Sequence, residues 1–577
     1  MELLDPIYTR QRDCQDCHKC IRECPVKAIR VEASYSQVMP GFCILCGNCV
    51  LACPNSAVQV RRDLPRAQEL LTGKRRVIAS LDPAFAAQFP GVRPGQLVRA
   101  LKQLGFFAVS ETALGAQLVS ASLTGLMRDE PNRIWISPAC PSVLDFIGMY
   151  HPECQPQVAG VLSPLLAHCR LLRTHYGNDI AIVYIGPCIA KKKDAELHPE
   201  LLDVALTFED LERWLGASNI RPDQLSQIAE APGDRFEPTA AEEGTLHAIE
   251  GGMSQTIASD PHVGGLQCMA FSGIANVERA LADVPNWVPD HPIFLEMTAC
   301  AGACISGPGM TAKTSIARRR YDLTRYARPA TSSPRGPVPD IHCHYTAAPI
   351  TPNKYGELPL REALRWVGQH SPEDALNCGG CGYQSCRDFA HALLAGNAER
   401  MMCATYTRKL AQKKANALLR RMPSAVVIVD EDLKMIECNP NFAQLFPPEP
   451  EQGGNPASSA PSGVLPFAGL FRRVLDSGED IVSHDIRYKR KILNTSIFTI
   501  EPHSVIGGIF QDITEPTFQK EQIIGRAQQV IEKNLKTVQQ IAYLLGENAA
   551  DSEVILNSIV SSFAAEEVEE HDAEAAP

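Results

Sequence analysis

The chain has no surplus of positive charge and no long apolar run, and these two absences set its first limits. Its formal net charge is -11, which leaves no basic footprint for nucleic acid. The opening residues MELLDPIYTRQRDCQDC hold no apolar stretch between a basic start and a small-residue cleavage site, and no later run is long enough to span a bilayer. A cytoplasmic protein with neither a membrane nor a nucleic-acid partner is expected. The scattered cysteines of a secreted disulfide framework are also missing: the chain has 21, mostly in tight clusters, and clustering in a reducing compartment points to metal. No kinase, phosphatase or DNA-binding module is visible, so any signalling output must pass to another protein. At 577 residues the chain exceeds a single core, and several domains are expected.

What is present begins with two copies of one pattern, CQDCHKCIRECP from Cys14 to Pro25 and CILCGNCVLACP from Cys43 to Pro54. In two-cluster ferredoxins the fourth cysteine of each run ligates the other cluster. One cubane is therefore expected on Cys14, Cys17, Cys20 and Cys53, and the other on Cys43, Cys46, Cys49 and Cys24. Gly47 and Asn48 let backbone N–H groups approach the sulfurs. The competing reading is a pair of structural zinc sites. His18, inside the first run, is read as a solvated residue rather than a ligand.

From about Arg75 to Arg320, apolar runs alternate with amphipathic stretches, as expected of strand–helix repeats around a parallel sheet. The runs RIWIS, IAIVYI and PIFLEM lead into Cys140, Cys188 and the Cys300/Cys304 pair. These thiols are expected just past strand ends, where open α/β sheets bind ligands. Together they could hold one cluster, with room left by Ala299, Ala301, Gly302 and Ala303.

The segments ISPACPSVLDFI, IGPCIAKKKDAE and LEMTACAGACISGPG, in this order behind a ferredoxin module, resemble the three signature segments of the [FeFe]-hydrogenase catalytic domain. The resemblance implies an H-cluster: a cubane on Cys140, Cys188, Cys300 and Cys304, with Cys304 bridging to a diiron subcluster that carries carbonyl, cyanide and a dithiolate bridge. It also implies that Lys191 hydrogen-bonds a cyanide ligand, and that Pro83 and Ala84 line the opposite wall.

The sequence departs from the family pattern at several places. Ala139 stands where turnover enzymes carry a second, proton-relaying cysteine, so the first step of an acid–base relay is missing. Gly186 and Thr298 stand where methionines pack against the diiron site. Leu165 replaces a glutamine, and Ser122 aligns with a relay carboxylate. The cluster's anchors are kept while the surrounding shell is altered, which suits a reporter better than a fast catalyst.

Beyond this region the segment ARPATSSPRGPVPD, Ala327 to Asp340, reads as an irregular exposed linker, and the adjoining His342 and His344 as solvated residues. Cys378, Cys381, Cys386 and Cys403 follow a C-x2-C-x4-C-x16-C spacing that suits a further 4Fe-4S cluster, with zinc again the rival. Cys154, Cys169, Cys268, Cys343 and Cys438 remain as incidental or buried thiols. From Met422, strand patterns opening with PSAVVIVDEDLKMIEC and ending in SIFTIEPHSVIGGIFQDITE resemble a PAS sensory domain, interrupted by the low-complexity PPEPEQGGNPASSAPSG. In the tail, Ile524, Ile531, Val538 and Leu545 recur every seven residues, with Ala527 and Ile541 between them and Asn534 interrupting. That pattern fits a coiled coil or a helix packed on its own domain, followed by a disordered acidic end.

The fold class is thus multidomain α+β and α/β. The expected domains are a two-cluster ferredoxin domain (1–62), an α/β H-cluster domain (75–325), a Pro-rich linker (327–352), a four-cysteine Fe-S domain (353–412), a PAS domain (422–515) and a helical tail (516–577). Three 4Fe-4S clusters and an H-cluster are the expected cofactors. The expected partners are H2 and protons, a ferredoxin-like electron donor or acceptor, a downstream signalling protein, and a second copy joined through the PAS domain and tail. Three functions compete: a hydrogen or redox sensor, a slow or true ferredoxin-linked hydrogenase (2H+ + 2e- = H2), and a cluster-assembly relative without the diiron site.

Overall fold

The computed structural model describes residues 4–73, 75–225, 233–258, 265–328, 339–351, 353–447, 467–514 and 529–538. The chain forms two compact units, Met1–Met402 and Cys403–Pro577. Among the described residues, no helix is long and apolar enough to cross a membrane.

The two cysteine runs fold alike. Each ends in a short helix, Lys19–Glu23 and Asn48–Ala52, entered through a left-handed residue: His18 at φ 58° and Gly47 at φ 78°. The strands Ile7–Thr9 and Val58–Val60 pair antiparallel and close the module. At Gly47 a side chain is excluded twice over, by the backbone angle and because a Cβ would lie 2.5 Å from Pro308 Cγ. This glycine packs directly against Pro308 and Ile189 of the next domain.

That domain is built on two parallel sheets. One has the order Ala108–Glu111, Arg76–Leu81, Ile180–Gly186, Val204–Thr207; the other has Gln267–Ser272, Ile293–Thr298, Ile134–Ile136. Parallel strands covered on both faces need continuous apolar sequence, and every residue of IAIVYIG and IFLEMT is buried. Alternate residues feed different cores. Val183 and Ile185 pack with Val77, Ala79 and Leu81, whereas Ile182 and Tyr184 join Ile78 and Ala108 on the other face. The helices Ala113–Asp129 and Pro164–Tyr176 cross so closely that a Cβ on Gly115 would meet Pro164 O at 2.0 Å.

Residues 341–350 differ from the expected linker. Ile341 is buried, its carbonyl accepts from Leu162 N, and Cys343 N, Ala348 N and Ile350 N donate to Gly160, Gly148 and Met149. The segment lies along the parallel-sheet domain because Ile341 and Tyr345 bring apolar surface that proline content alone did not reveal. Most of the Ala327–Asp340 stretch falls outside the described residues. Further on, the helices Glu357–Arg365 and Cys386–Leu394 pair through Leu360, Ala363 and Ala390. Their region docks on the first cysteine run: Arg22 donates to Gly380 O (3.2 Å), Lys27 to Gly382 O (2.8 Å), and Val31 N to Asn397 O (3.0 Å).

The second unit opens with the helix Ala404–Arg421 and continues into a five-stranded antiparallel sheet. The spatial order is Met435–Cys438, Ala425–Val429, Val505–Asp512, Lys491–Glu501, Ile481–Tyr488. Phe442, Phe446, Phe471 and Phe510 fill its core. Residues 529–538 are helical and leave Ile531 and Val538 exposed. Ile524, Ala527, Ile541, Leu545, the acidic end and the low-complexity 448–466 lie outside the described residues.

A buried ion network ties the end of the cysteine module to the parallel-sheet domain. Lys192 Nζ reaches Asp63 Oδ2 at 3.0 Å, Ala205 O at 3.0 Å and Asp210 Oδ2 at 3.5 Å, while Arg61 bonds Asp63. Lys192→Met removes a cation that two buried carboxylates share and should cost about 3–5 kcal/mol. Lys193→Met breaks only the part-exposed pair with Asp145 and should cost less than about 1 kcal/mol. Thermal unfolding of the two variants measures the contrast; equal losses would contradict the network's role.

Candidate metal centre and its cavity

The parallel strands deliver four thiols to one place. Cys140 follows Ile134–Ile136 and begins the helix Pro141–Tyr150, Cys188 follows Ile180–Gly186, and Cys300 and Cys304 follow Ile293–Thr298. All four line one cavity. Ala303, at φ 64°, turns the chain so that Cys304 joins the same wall. Burial raises every one of these thiols, Cys188 to about 12, and Cys300 and Cys304 well above the ordinary thiol range. Without metal they are neutral, so loading a cluster must release protons.

Lys191 lines the same cavity and is only 5% exposed. Among the described residues its ammonium makes no hydrogen bond and no ion pair within 4.0 Å. It lies over the Tyr184 ring, 5.3 Å from the centroid. Burial pushes its pKa down, but neighbouring acidic groups, Cys188 foremost, outweigh that and hold it above the ordinary value. A buried cation that feels Asp194 and Asp82 but pairs with neither within 4.0 Å is costly, and an anion in the cavity would relieve that cost. Four thiolates and an ammonium around one space fit an anionic iron–sulfur group.

Ala139 and Thr298 also line the cavity, whereas Pro83, Ala84, Gly186, Leu165 and Ser122 do not. Leu165 is a core residue. The wall next to Pro83 and Ala84 is Asp82, whose Oδ1 accepts from Ala84 N at 3.0 Å. Gly186 has a reason of its own: a Cβ there would meet Tyr184 Oη at 2.1 Å. Met253 brings a thioether to the wall from the helix Gly252–Ala258, where neither Gly186 nor Thr298 supplies one.

Sequence reasoning missed Asp82, His247, Met253 and Glu296, all of which line the cavity. Glu296 left a signal, being the one carboxylate in the buried run IFLEMT. Its Oε2 accepts from Ser254 N and Oγ, both at 2.8 Å. Burial raises its pKa and these bonds partly offset the rise. His247 and Met253 sit in no recognisable pattern.

In the N-terminal module, Cys14, Cys17, Cys20 and Cys53 line one second cavity of about 340 Å³. His18 lines it too, its side chain only 12% exposed and 3.3 Å from Asp16. It is therefore a wall residue rather than a solvated one, turned inward by its left-handed backbone. Cys24, Cys43, Cys46 and Cys49 lie close enough for their charges to act on one another. Equivalent backbone donors approach the fourth cysteine of each run, Ala28 N to Cys24 Sγ at 3.3 Å and Ala57 N to Cys53 Sγ at 3.2 Å. Cys46 also lines the larger cavity, which puts the second run at its edge.

Cys378, Cys381 and Cys386 lie in the first unit, and Cys403 is the first residue of the second. Cys154 and Cys169 are fully buried, while Cys268, Cys343 and Cys438 are half-buried. His342 is exposed and bonds Asp340. Among the described residues no group of three or more His, Cys, Asp or Glu could hold a single metal ion.

Residues 75–308 match the family described as "Iron only hydrogenase large subunit, C-terminal domain", residues 6–54 match "4Fe-4S dicluster domain", and residues 374–416 match an Fe-S cluster family. Comparison with curated proteins returned no match. Among solved structures, a variant of the [FeFe]-hydrogenase from Chlamydomonas reinhardtii aligns at 16% identity over 50% of this chain and 100% of its own, with a TM-score of 0.39. The apo form of another variant aligns at 17% identity with the same coverage and score. A Rhodobacter sphaeroides LOV protein aligns at 13% identity over 28% of this chain and 99% of its own, with a TM-score of 0.18. The assignment rests on the family models and on the thiols they enclose: residues 75–308 form a domain of the iron-only hydrogenase large-subunit family, carried behind a 4Fe-4S dicluster domain.

Proposed function

We propose that the chain is a hydrogen or redox sensor built on an H-cluster-type domain. One observation carries the reading. Four thiols from three strand ends and an unpaired, buried ammonium converge on one cavity. In this reading Cys140, Cys188, Cys300 and Cys304 would hold a cubane, Cys304 would also be the thiolate shared with a diiron subcluster, and Lys191 would donate to one of its cyanide ligands. When bound, such a group supplies the redox chemistry of H2. The chain's residues anchor it, balance its charge and decide how protons reach it.

The remaining cysteines extend the reading. Two cubanes on Cys14/Cys17/Cys20/Cys53 and Cys43/Cys46/Cys49/Cys24 form an electron path whose inner end is Cys46, at the cavity edge. A third is assigned to Cys378, Cys381, Cys386 and Cys403 by spacing, and the docking of Gly380 and Gly382 on Arg22 and Lys27 supports its link to that path. The five-stranded sheet of the second unit, with two helices beside it, supports a PAS-type output domain. Ile531 and Val538, exposed on one helix, support pairing of the tail with a second copy.

Ala139 favours a sensor over a fast enzyme, because a methyl group on the cavity wall offers no exchangeable proton. Glu296 keeps slow turnover in view as a second reading, since its buried carboxylate faces the same cavity. A cluster-assembly role without the diiron group would leave Lys191 buried without purpose.

Infrared spectra of the maturated protein should contain carbonyl and cyanide bands, and Cys304→Ala should abolish them. Bands persisting in that variant would refute the bridging assignment. Ala139→Cys should raise hydrogen evolution by at least about tenfold, short of the roughly 10²–10⁴-fold of a complete general acid–base relay because only its first member is restored. Glu296→Gln should depress the wild-type rate but spare the Ala139→Cys rate; loss in both would make Glu296 structural. Removing residues 516–577 should leave the infrared spectrum unchanged and abolish dimerisation, as read by sedimentation.

A further inference from the structure

The cavity holds a second built-in charge that the ligand set does not use. Asp82 is fully buried at the carboxyl end of the strand Arg76–Leu81, and it lines the cavity. Its two oxygens are held separately, Oδ1 by Ala84 N at 3.0 Å and Oδ2 by the Tyr184 hydroxyl at 2.8 Å. Tyr184 is itself fully buried, and its ring face lies beneath the Lys191 ammonium at 5.3 Å. Gly186 makes this possible, since any Cβ at that position would meet Tyr184 Oη at 2.1 Å, its Cζ at 2.4 Å and Asp82 Cβ at 2.6 Å. Three residues from two neighbouring parallel strands are therefore shaped around one hydroxyl–carboxylate bond.

A carboxylate beside an anion site opposes the anion unless something offsets it, and in a low-dielectric pocket that opposition is strong. The offset is Lys191, which makes no hydrogen bond or ion pair among the described residues, although Asp194 as well as Asp82 acts on its charge. His247, the other basic group on this wall, has its Nδ1 at 2.9 Å from Gly244 O. We propose that Asp82 and Tyr184 are a positioning pair for Lys191, holding its ammonium between the Tyr184 ring and the cavity so that it is shared between Asp82 and the anionic group bound there.

Sharing has a chemical consequence. The ammonium can lean toward the cavity when the bound group is more negative and toward Asp82 when it is less so. Charge on the bound group is thereby coupled to the position of one side chain. The inference rests on the H-cluster reading but goes beyond it, because a lysine facing an anion needs neither Asp82 nor Tyr184.

The experiment is infrared spectroscopy of the full-length, maturated protein and of Asp82→Asn, Tyr184→Phe and Gly186→Ala, with thermal unfolding in parallel. Asp82→Asn removes a negative charge near the bound group and should move its carbonyl and cyanide bands to higher wavenumber. Tyr184→Phe keeps the ring but frees Asp82, and Gly186→Ala displaces the hydroxyl; both should shift the cyanide bands. If Asp82→Asn does not load, Tyr184→Phe decides. Bands unmoved in Tyr184→Phe and Gly186→Ala, with only the melting temperature lowered, would reduce the pair to a packing role and overturn the proposal. Absence of bands in the unmutated protein would instead overturn the reading of the cavity.

Discussion

An ammonium group taken out of water with no ion pair in direct contact is among the least favourable arrangements a protein can hold, and Lys191 is in that position. Neutralising the lysine would relieve the cost, but the Asp194 and Asp82 carboxylates favour its charged form. The remaining remedy is an anion in the cavity. The four thiols bear the same logic from the other side, since burial keeps them protonated until metal replaces the protons. Lysine and thiols together make the apo site a pair of opposed penalties that one anionic metal group relieves at once. The parallel sheets exist in this context as a means of bringing distant chain segments to one crevice.

Residue spacing and residue packing were legible to different degrees. The eight cysteines of the N-terminal runs could be assigned to two sets because their geometry is local. Cys140, Cys188 and the Cys300/Cys304 pair could be gathered because each follows an apolar run, and a strand end is readable from one segment. Asp82, Glu296, His247 and Met253 depend on which strands and helices become neighbours, and no short pattern encodes that. Asp82 directly precedes Pro83 and Ala84, so the wall was found within one residue without its charge being noticed.

The misreadings have physical causes as well. A histidine in a short polar run such as that of His18 is usually solvated; a left-handed backbone turns this one onto a cavity wall instead. The proline content of 327–340 was extended to the residues after it, although Ile341 and Tyr345 there carry the apolar surface that binds the segment down. Gly186 looked like the loss of a packing side chain. In the structure it is the condition for Tyr184 to reach Asp82, so a residue that seemed only subtracted from the site turns out to admit another.

Gly47 acts similarly at a larger scale. Its hydrogen, in place of a side chain, is all that separates the second cysteine run from Pro308, and Pro308 belongs to the loop that carries Cys304. Electron passage between buried centres falls off exponentially with the gap between them. In the electron path proposed above, a single methyl at position 47 would wedge the two domains apart without altering any ligand, so it would act on the timing of electron delivery and leave the chemistry at each end as it was. Glycine here works as a spacer of minimal thickness, and the distance it sets is a kinetic parameter written into the backbone.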